Sequence, residues 1–132
     1  MKLEHIAIWT DNLEQLKDFY VKYFEGKPNI KYTNTQKQFQ SYFISFSSGA
    51  RLEIMSKPDI PVNKNDTILK QHKGIIHLAF EVKSKQEVDN KLKQFELDRI
   101  NILDLPRITG DGYYEFVLLD PDQNRIEVIT KI

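Results

Sequence analysis

Apolar and polar residues alternate from Lys2 to Trp9, the period-two signature of a strand. Asp11 or Asn12 can then cap a helix, with Glu14 placed for a capping box. Leu13, Leu16, Phe19, Tyr20, Tyr23 and Phe24 recur at helical spacing, and Gly26-Lys27-Pro28 closes the helix. Residues 29–33, 39–46 and 51–56 read as strands, with a turn at Ser47-Ser48-Gly49-Ala50. The order is β-α-β-β-β. A polar segment, 57–73, follows and is predicted to be a linker with one short helical turn near Ile68-Leu69. The same order then recurs. Residues 75–82 form a strand, and Ser84-Lys85-Gln86-Glu87 is a capping box opening a helix with Val88, Leu92 and Phe95 on one side. Residues 99–104, 113–119 and 125–130 are predicted strands, with a turn at Asp120-Pro121-Asp122-Gln123-Asn124 between the last two.

The recurrence extends to individual residues. Glu4-His5-Ile6-Ala7-Ile8 parallels Ile76-His77-Leu78-Ala79-Phe80, and Arg51-Leu52-Glu53-Ile54-Met55 parallels Arg125-Ile126-Glu127-Val128-Ile129. Side chains alternate across a strand, so the aliphatic residues of these four segments share faces suited to the two amphipathic helices. The opposite faces then carry His5, Glu53, His77 and Glu127 at equivalent points of two modules. Taken singly, each has an ordinary reading: a structural histidine, or a glutamate that is solvated or paired with Arg51 or Arg125. Taken together, two imidazoles and two carboxylates can neutralise a divalent cation and leave coordination positions open for water or substrate. Such a cation would offset the several kcal/mol that an unpaired buried carboxylate costs.

Composition narrows the classes. At 132 residues, the length fits one domain or two fused half-domains, modules 1–56 and 74–132 flanking the linker. Nineteen basic residues balance nineteen acidic ones, which argues against nucleic-acid or membrane binding driven by bulk charge. There is no cysteine, so thiol catalysis and zinc-thiolate sites are excluded and any metal must be held by His, Asp and Glu. The amino-terminal residues alternate like a strand and lack a secretory apolar stretch, and no apolar run is long enough for a membrane span; a cytoplasmic location is the expectation.

At these residues the chain resembles the vicinal oxygen chelate superfamily of glyoxalase I, bleomycin-resistance proteins and extradiol dioxygenases. The resemblance runs from His5-Ile6-Ala7 through Phe19-Tyr20, Gly26, Arg51-Leu52-Glu53-Ile54 and Gly74-Ile75-Ile76-His77-Leu78-Ala79-Phe80. It ends with Leu119-Asp120-Pro121-Asp122-Gln123-Asn124-Arg125-Ile126-Glu127. It implies an α+β fold of two tandem βαβββ modules, a cup-shaped, partly open mixed barrel with the helices outside. It also implies a divalent metal, Ni, Co, Zn or Mn, held by His5, Glu53, His77 and Glu127. That ligand pattern is similar to bacterial glyoxalase I, which isomerises a hemithioacetal through an enediolate. Glu127 would be the first choice of base, with Glu53 serving the other face. A thiol transferase or epimerase on the same fold, or a non-enzymatic binding protein of the bleomycin-resistance type, are the alternatives. Homodimers are common in the family, and the metal site can lie within one chain or across two.

Departures from the glyoxalase pattern concern the substrate. Trp9 stands where the family has an arginine that grips a glutathione carboxylate, and Lys57 stands where it has an asparagine. Trp9 offers an aromatic wall in place of an anion clamp, and Lys57 a point charge without a fork. The thiol is therefore left open, with a different thiol, or another α-hydroxycarbonyl compound, standing beside glutathione. The run Pro106-Arg107-Ile108-Thr109-Gly110-Asp111-Gly112-Tyr113-Tyr114-Glu115 reads in two ways. It is either a substrate rim, with Arg107 meeting an anion and Tyr113 or Tyr114 lining the pocket, or a turn with Gly110 and Gly112 at positive φ and Asp111 bonded to backbone.

Overall fold

A computed structural model describes residues 1–132, and the chain divides into two compact units, Met1–Asn63 and Lys64–Ile132. The first unit contains β1 (His5–Trp9), α1 (Leu13–Phe24), β2 (Lys27–Pro28), β3 (Tyr32–Asn34), β4 (Phe39–Ser45) and β5 (Arg51–Ser56). The second contains β6 (His77–Glu81), α2 (Lys85–Leu97), β7 (Ile102–Ile108), β8 (Tyr113–Leu119) and β9 (Arg125–Lys131). In each unit the first strand pairs in parallel with the last, β1 with β5 and β6 with β9. The remaining pairings are antiparallel, in the orders β1-β5-β4-β2 and β6-β9-β8-β7, with β3 beside the far half of β4. Both sheets are mixed, and each unit is a βαβββ module; β2 and β3 are two short pieces that both pair with β4.

Each helix buries its apolar stripe on one face of its own sheet. Leu16 and Tyr20 of α1 are fully buried with Ile44 of β4 and Ile54 of β5. Val88 and Phe95 of α2 are fully buried with Phe116, Leu118, Ile126 and Val128. Asn12 caps α1 by accepting a hydrogen bond from the Gln15 N–H at 3.1 Å. Glu14 does not close the expected capping box. Its carboxylate accepts from Lys31 at 2.6 Å, from Lys17 at 3.1 Å and from the Tyr42 hydroxyl at 3.1 Å. Lys31 first, then Lys17, hold that carboxyl down at about 2. Ser84 accepts from the Glu87 N–H at 3.2 Å, and the Glu87 side chain returns to the Lys83 N–H at 2.9 Å, so the second helix is capped reciprocally.

The end of α1 differs from expectation in an instructive way. The left-handed residue is Glu25, at φ 55°, and Gly26 is required for another reason. A Cβ on Gly26 would lie 2.5 Å from Ile44 Cγ2 and 3.0 Å from the Tyr20 carbonyl oxygen. Ile44 is fully buried and has nowhere to retreat. Gly26→Ala is therefore expected to cost about 1–3 kcal/mol through overpacking, read as a lower urea midpoint with an unchanged slope.

The segment 99–104 also departs from expectation, since the strand there is displaced to Ile102–Ile108 and takes in Pro106. β7 is an edge strand, and its register with β8 shifts between Asp104 and Arg107. At an edge, where the ladder is interrupted, a residue without an N–H is tolerated. Arg107 and the two tyrosines consequently stand on strands, and the turn shrinks to Thr109–Gly112. Of its two glycines only Gly112, at φ 88°, takes the left-handed region. In the segment between modules, a single helical turn does form: Lys70 N–H reaches the Asp66 carbonyl at 3.2 Å, and the Asp66 carboxylate receives the N–H groups of Ile68 and Leu69.

Candidate functional site

The parallel pairing of first and last strands brings each histidine beside its glutamate. In the first unit His5 pairs with Arg51 and Ala7 with Glu53. In the second His77 pairs with Arg125 and Ala79 with Glu127. Paired residues project to the same face, so the glutamate lies two steps further along the ladder than the histidine. On the parallel side the residue across from each glutamate is alanine, Ala7 or Ala79, and on the antiparallel side it is Phe43 or Val117. The distances are His5 Nε2 to Glu53 Oε2, 3.7 Å, and His77 Nδ1 to Glu127 Oε1, 3.3 Å. The side-chain exposures match between modules, 40% and 41% for the histidines and 15% and 16% for the glutamates. The internal repeat thus extends to strand register and to exposure, while a different ring nitrogen faces the carboxylate in each module.

Residues with positions fixed by hydrogen bonds hold these strands in register. The Asp120 carboxylate, almost fully buried in the β8–β9 turn, accepts from the N–H groups of Asp122 at 2.9 Å and Asn124 at 2.8 Å and from the Asn124 amide at 2.9 Å. That closed turn sets the pairing in which Val117 faces Glu127. Burial pushes the Glu127 carboxyl above the usual carboxylate range; His77 opposes this, and the charge of Glu115 adds to the rise. Glu115 was not singled out by sequence reasoning. It is 8% exposed, sits on the face of β8 that carries Val117, and accepts from the Arg107 guanidinium at 3.0 Å. The parity of β8 relative to Glu127 was the available signal.

The other residues of interest divide by strand parity. Trp9 shares the face of His5, is partly exposed, and meets Phe39 edge to face at 6.0 Å. Tyr32 stands 6.0 Å from the same ring. Lys57 is exposed just beyond β5. Arg107 is held by two carboxylates, Glu115 at 3.0 Å and Asp104 at 3.3 Å, so it is not a free anion clamp. Tyr113 has the parity of Glu115. Tyr114 has the opposite parity, and its hydroxyl donates to Asp89 of α2 at 2.8 Å. The expectation of Tyr114 as a pocket wall is therefore corrected: alternation along β8 turns it to the helix side, where Lys85 lies 4.1 Å from its ring centre. Tyr42 is likewise on the helix side, bonded to Glu14.

One His–Glu pair lies in each unit, and no group of three or more His, Asp and Glu side chains that could hold a metal is assembled. Each pair nevertheless suits a shared cation. Both separations are shorter than the sum of two metal–ligand bonds of about 2.1 Å, so one ion can bridge either imidazole to its carboxylate. The donors, nitrogen and oxygen without sulfur, fit a first-row divalent ion.

The family model described as "Glyoxalase/Bleomycin resistance protein/Dioxygenase superfamily" matches residues 2–128. No curated protein sequence matches the chain. A glyoxylase/bleomycin resistance protein/dioxygenase domain from Frankia sp. EAN1pec is similar in structure, with TM-score 0.80 and 12% identity over 100% of this chain and 98% of that one. The trypanothione-dependent glyoxalase I of Leishmania major superposes with TM-score 0.75 and 19% identity, covering 98% of this chain and 86% of that one. The fosfomycin resistance protein FosX of Listeria monocytogenes, solved with Mn(II) and a dihydroxypropylphosphonic acid, gives TM-score 0.70 and 17% identity over 96% and 89%. At these identities the likeness establishes a shared fold. No helix is long and apolar enough to cross a membrane.

Proposed function

The chain belongs to the glyoxalase/bleomycin resistance protein/dioxygenase superfamily, and from that premise we propose that it is a metal-dependent lyase or isomerase of the glyoxalase I type. The observation that carries the reading is the duplicated His–Glu pair, matched in strand register and exposure between two modules. His5, Glu53, His77 and Glu127 would be its metal ligands, serving one divalent ion of Ni, Co, Zn or Mn. When bound, the ion would polarise the two oxygens of an α-hydroxycarbonyl compound and acidify the C–H between them.

The chain's own residues do the rest. Glu127 takes the proton from one carbon and returns it to its neighbour, a task suited to a carboxyl whose pKa is raised by burial. Glu53 serves the opposite face. Trp9, with Phe39, offers an edge-to-face aromatic surface on the His5 face of β1, at the far end of the strand, for an uncharged part of the substrate. Arg107 braces Glu115 and Asp104. Lys57 and Tyr113 are the remaining candidates for substrate contact. The substrate is a small molecule, a thiol adduct included, and the protein is proposed to work as a cytoplasmic homodimer.

The deciding experiment is metal content and divalent-metal affinity of the purified protein, followed by turnover of methylglyoxal with several thiols. Stoichiometric binding and isomerisation of one hemithioacetal are expected. A protein that binds no divalent metal would overturn this reading in favour of a small-molecule binding protein. Thiol addition or epimerisation in place of isomerisation would move it to another reaction on the same fold.

A further inference from the structure

The two His–Glu pairs are alike in residue type but differ in what stands behind the histidine. In the first unit, Glu4 Oε2 lies 2.5 Å from His5 Nδ1. Its other oxygen, Oε1, is gripped by Arg51, with Nε at 2.6 Å and the terminal nitrogen at 2.5 Å. The backbone of Glu4 is held as well, since its carbonyl accepts from the Arg51 N–H at 2.9 Å. The guanidinium of Arg51 lies 4.1 Å from the centre of the Phe43 ring, which in turn meets the His5 imidazole edge to face at 5.3 Å. His5 is therefore held on two sides, by Glu4 at Nδ1 and by Phe43 at the ring.

The second unit has no counterpart. Residue 76, which corresponds to Glu4, is an isoleucine. Arg125, which corresponds to Arg51, donates to the carbonyls of Thr67 at 2.6 Å and Ile68 at 2.9 Å. His77 turns Nδ1 toward its glutamate, where His5 turns Nε2.

The chemistry of the Glu4 contact is directional. An ionised carboxylate only accepts, so a nitrogen within hydrogen-bond distance of it must carry the proton; Glu4, at 2.5 Å from Nδ1, meets that condition, and Glu53, at 3.7 Å from Nε2, does not. In a neutral imidazole the other nitrogen then bears the lone pair. We infer that Glu4 is a positioning residue: its carboxylate, clamped by Arg51, accepts a hydrogen bond from His5 Nδ1 and thereby presents the Nε2 lone pair toward Glu53 as a metal donor. This rests on the reading of His5 as a ligand, but its first test needs no metal. A carboxylate behind a ligating imidazole fixes the tautomer and the ring orientation and raises the donor's basicity.

Two measurements test it. Imidazole-nitrogen NMR of the metal-free protein, well above the ordinary histidine pKa of about 6.5, reads the tautomer directly. In the wild type, His5 should carry its proton on Nδ1, and Glu4→Ala should shift the proton toward Nε2. Titration with Mn(II) or Zn(II) should then show about 10–100-fold weaker binding by Glu4→Ala. Glu4→Gln, whose carbonyl oxygen can still accept from Nδ1, should recover part of that loss. Glu4 is half-exposed, so both variants should unfold at the wild-type midpoint. Protonation of His5 on Nε2 in the wild type would overturn the inference, as would a Glu4→Ala protein with wild-type metal affinity. A wild type that binds neither metal but shows the Nδ1 proton would refute the proposed function and leave the orienting role of Glu4 standing.

Discussion

Glu127→Gln should reduce turnover by about 10²–10⁴-fold with metal supplied at saturation. The substitution keeps the side chain's length and one oxygen that can face a cation, and it removes the capacity to take up a proton. Three features of the site make this position more sensitive than a surface carboxylate. Glu127 is mostly enclosed, its carboxyl is pushed up by burial and by the nearby charge of Glu115, and His77 Nδ1 stands 3.3 Å away. A raised pKa brings a carboxylate closer to the basicity that abstraction of a proton beside a carbonyl requires. Metal affinity should fall as well, because an anionic ligand has become neutral. The two losses are separated by measuring rate against metal concentration: a ligand-only role predicts recovery at high metal, and a base predicts none. Wild-type turnover by the saturated variant would remove Glu127 from the proton transfer and point to Glu53.

The largest loss of stability is expected at Phe95. This ring is fully buried, is supplied by α2, and packs against Phe116 of β8 with ring centres 6.1 Å apart. α2 has few other anchors, with Val88 its only other fully buried side chain. Phe95→Ala should cost about 3–5 kcal/mol, the sum of lost transfer free energy and the cavity left behind. For a small protein that is a large fraction of the total, so the thermal midpoint should drop by about 10 °C or more. Leu97→Ala, on the same helix but 83% exposed, should stay within about 0.5 kcal/mol of wild type. Equal losses for the two would mean that α2 does not pack through the Phe95 stripe.

Much of the fold was readable because its signals are local. Period-two runs marked the long strands, 3.6-residue periodicity marked both helices, and Ser84 with Glu87 marked a cap that forms. Where a longer-range partner decides the outcome, local signals misled. Glu14 suits a capping box, yet Lys31 and Tyr42, distant in sequence, claim its carboxylate. Pro106 and the two following glycines suit a long loop, yet an edge position lets the strand run through the proline to Ile108.

The sequence by itself determined the duplicated βαβββ order and the four candidate ligands, because a repeat with alternating strands specifies both face and phase without any knowledge of neighbours. Only the tertiary structure decided what surrounds those ligands. Strand pairing set Ala7 and Ala79 across from the glutamates, gave Arg107 to Glu115 and Asp104, and turned Tyr114 to the helix. It also placed Arg51, forty-seven residues away in the chain, against Glu4 behind His5. Such contacts depend on register and on which of several equally polar partners lies within reach, and neither is encoded in a residue's own neighbourhood.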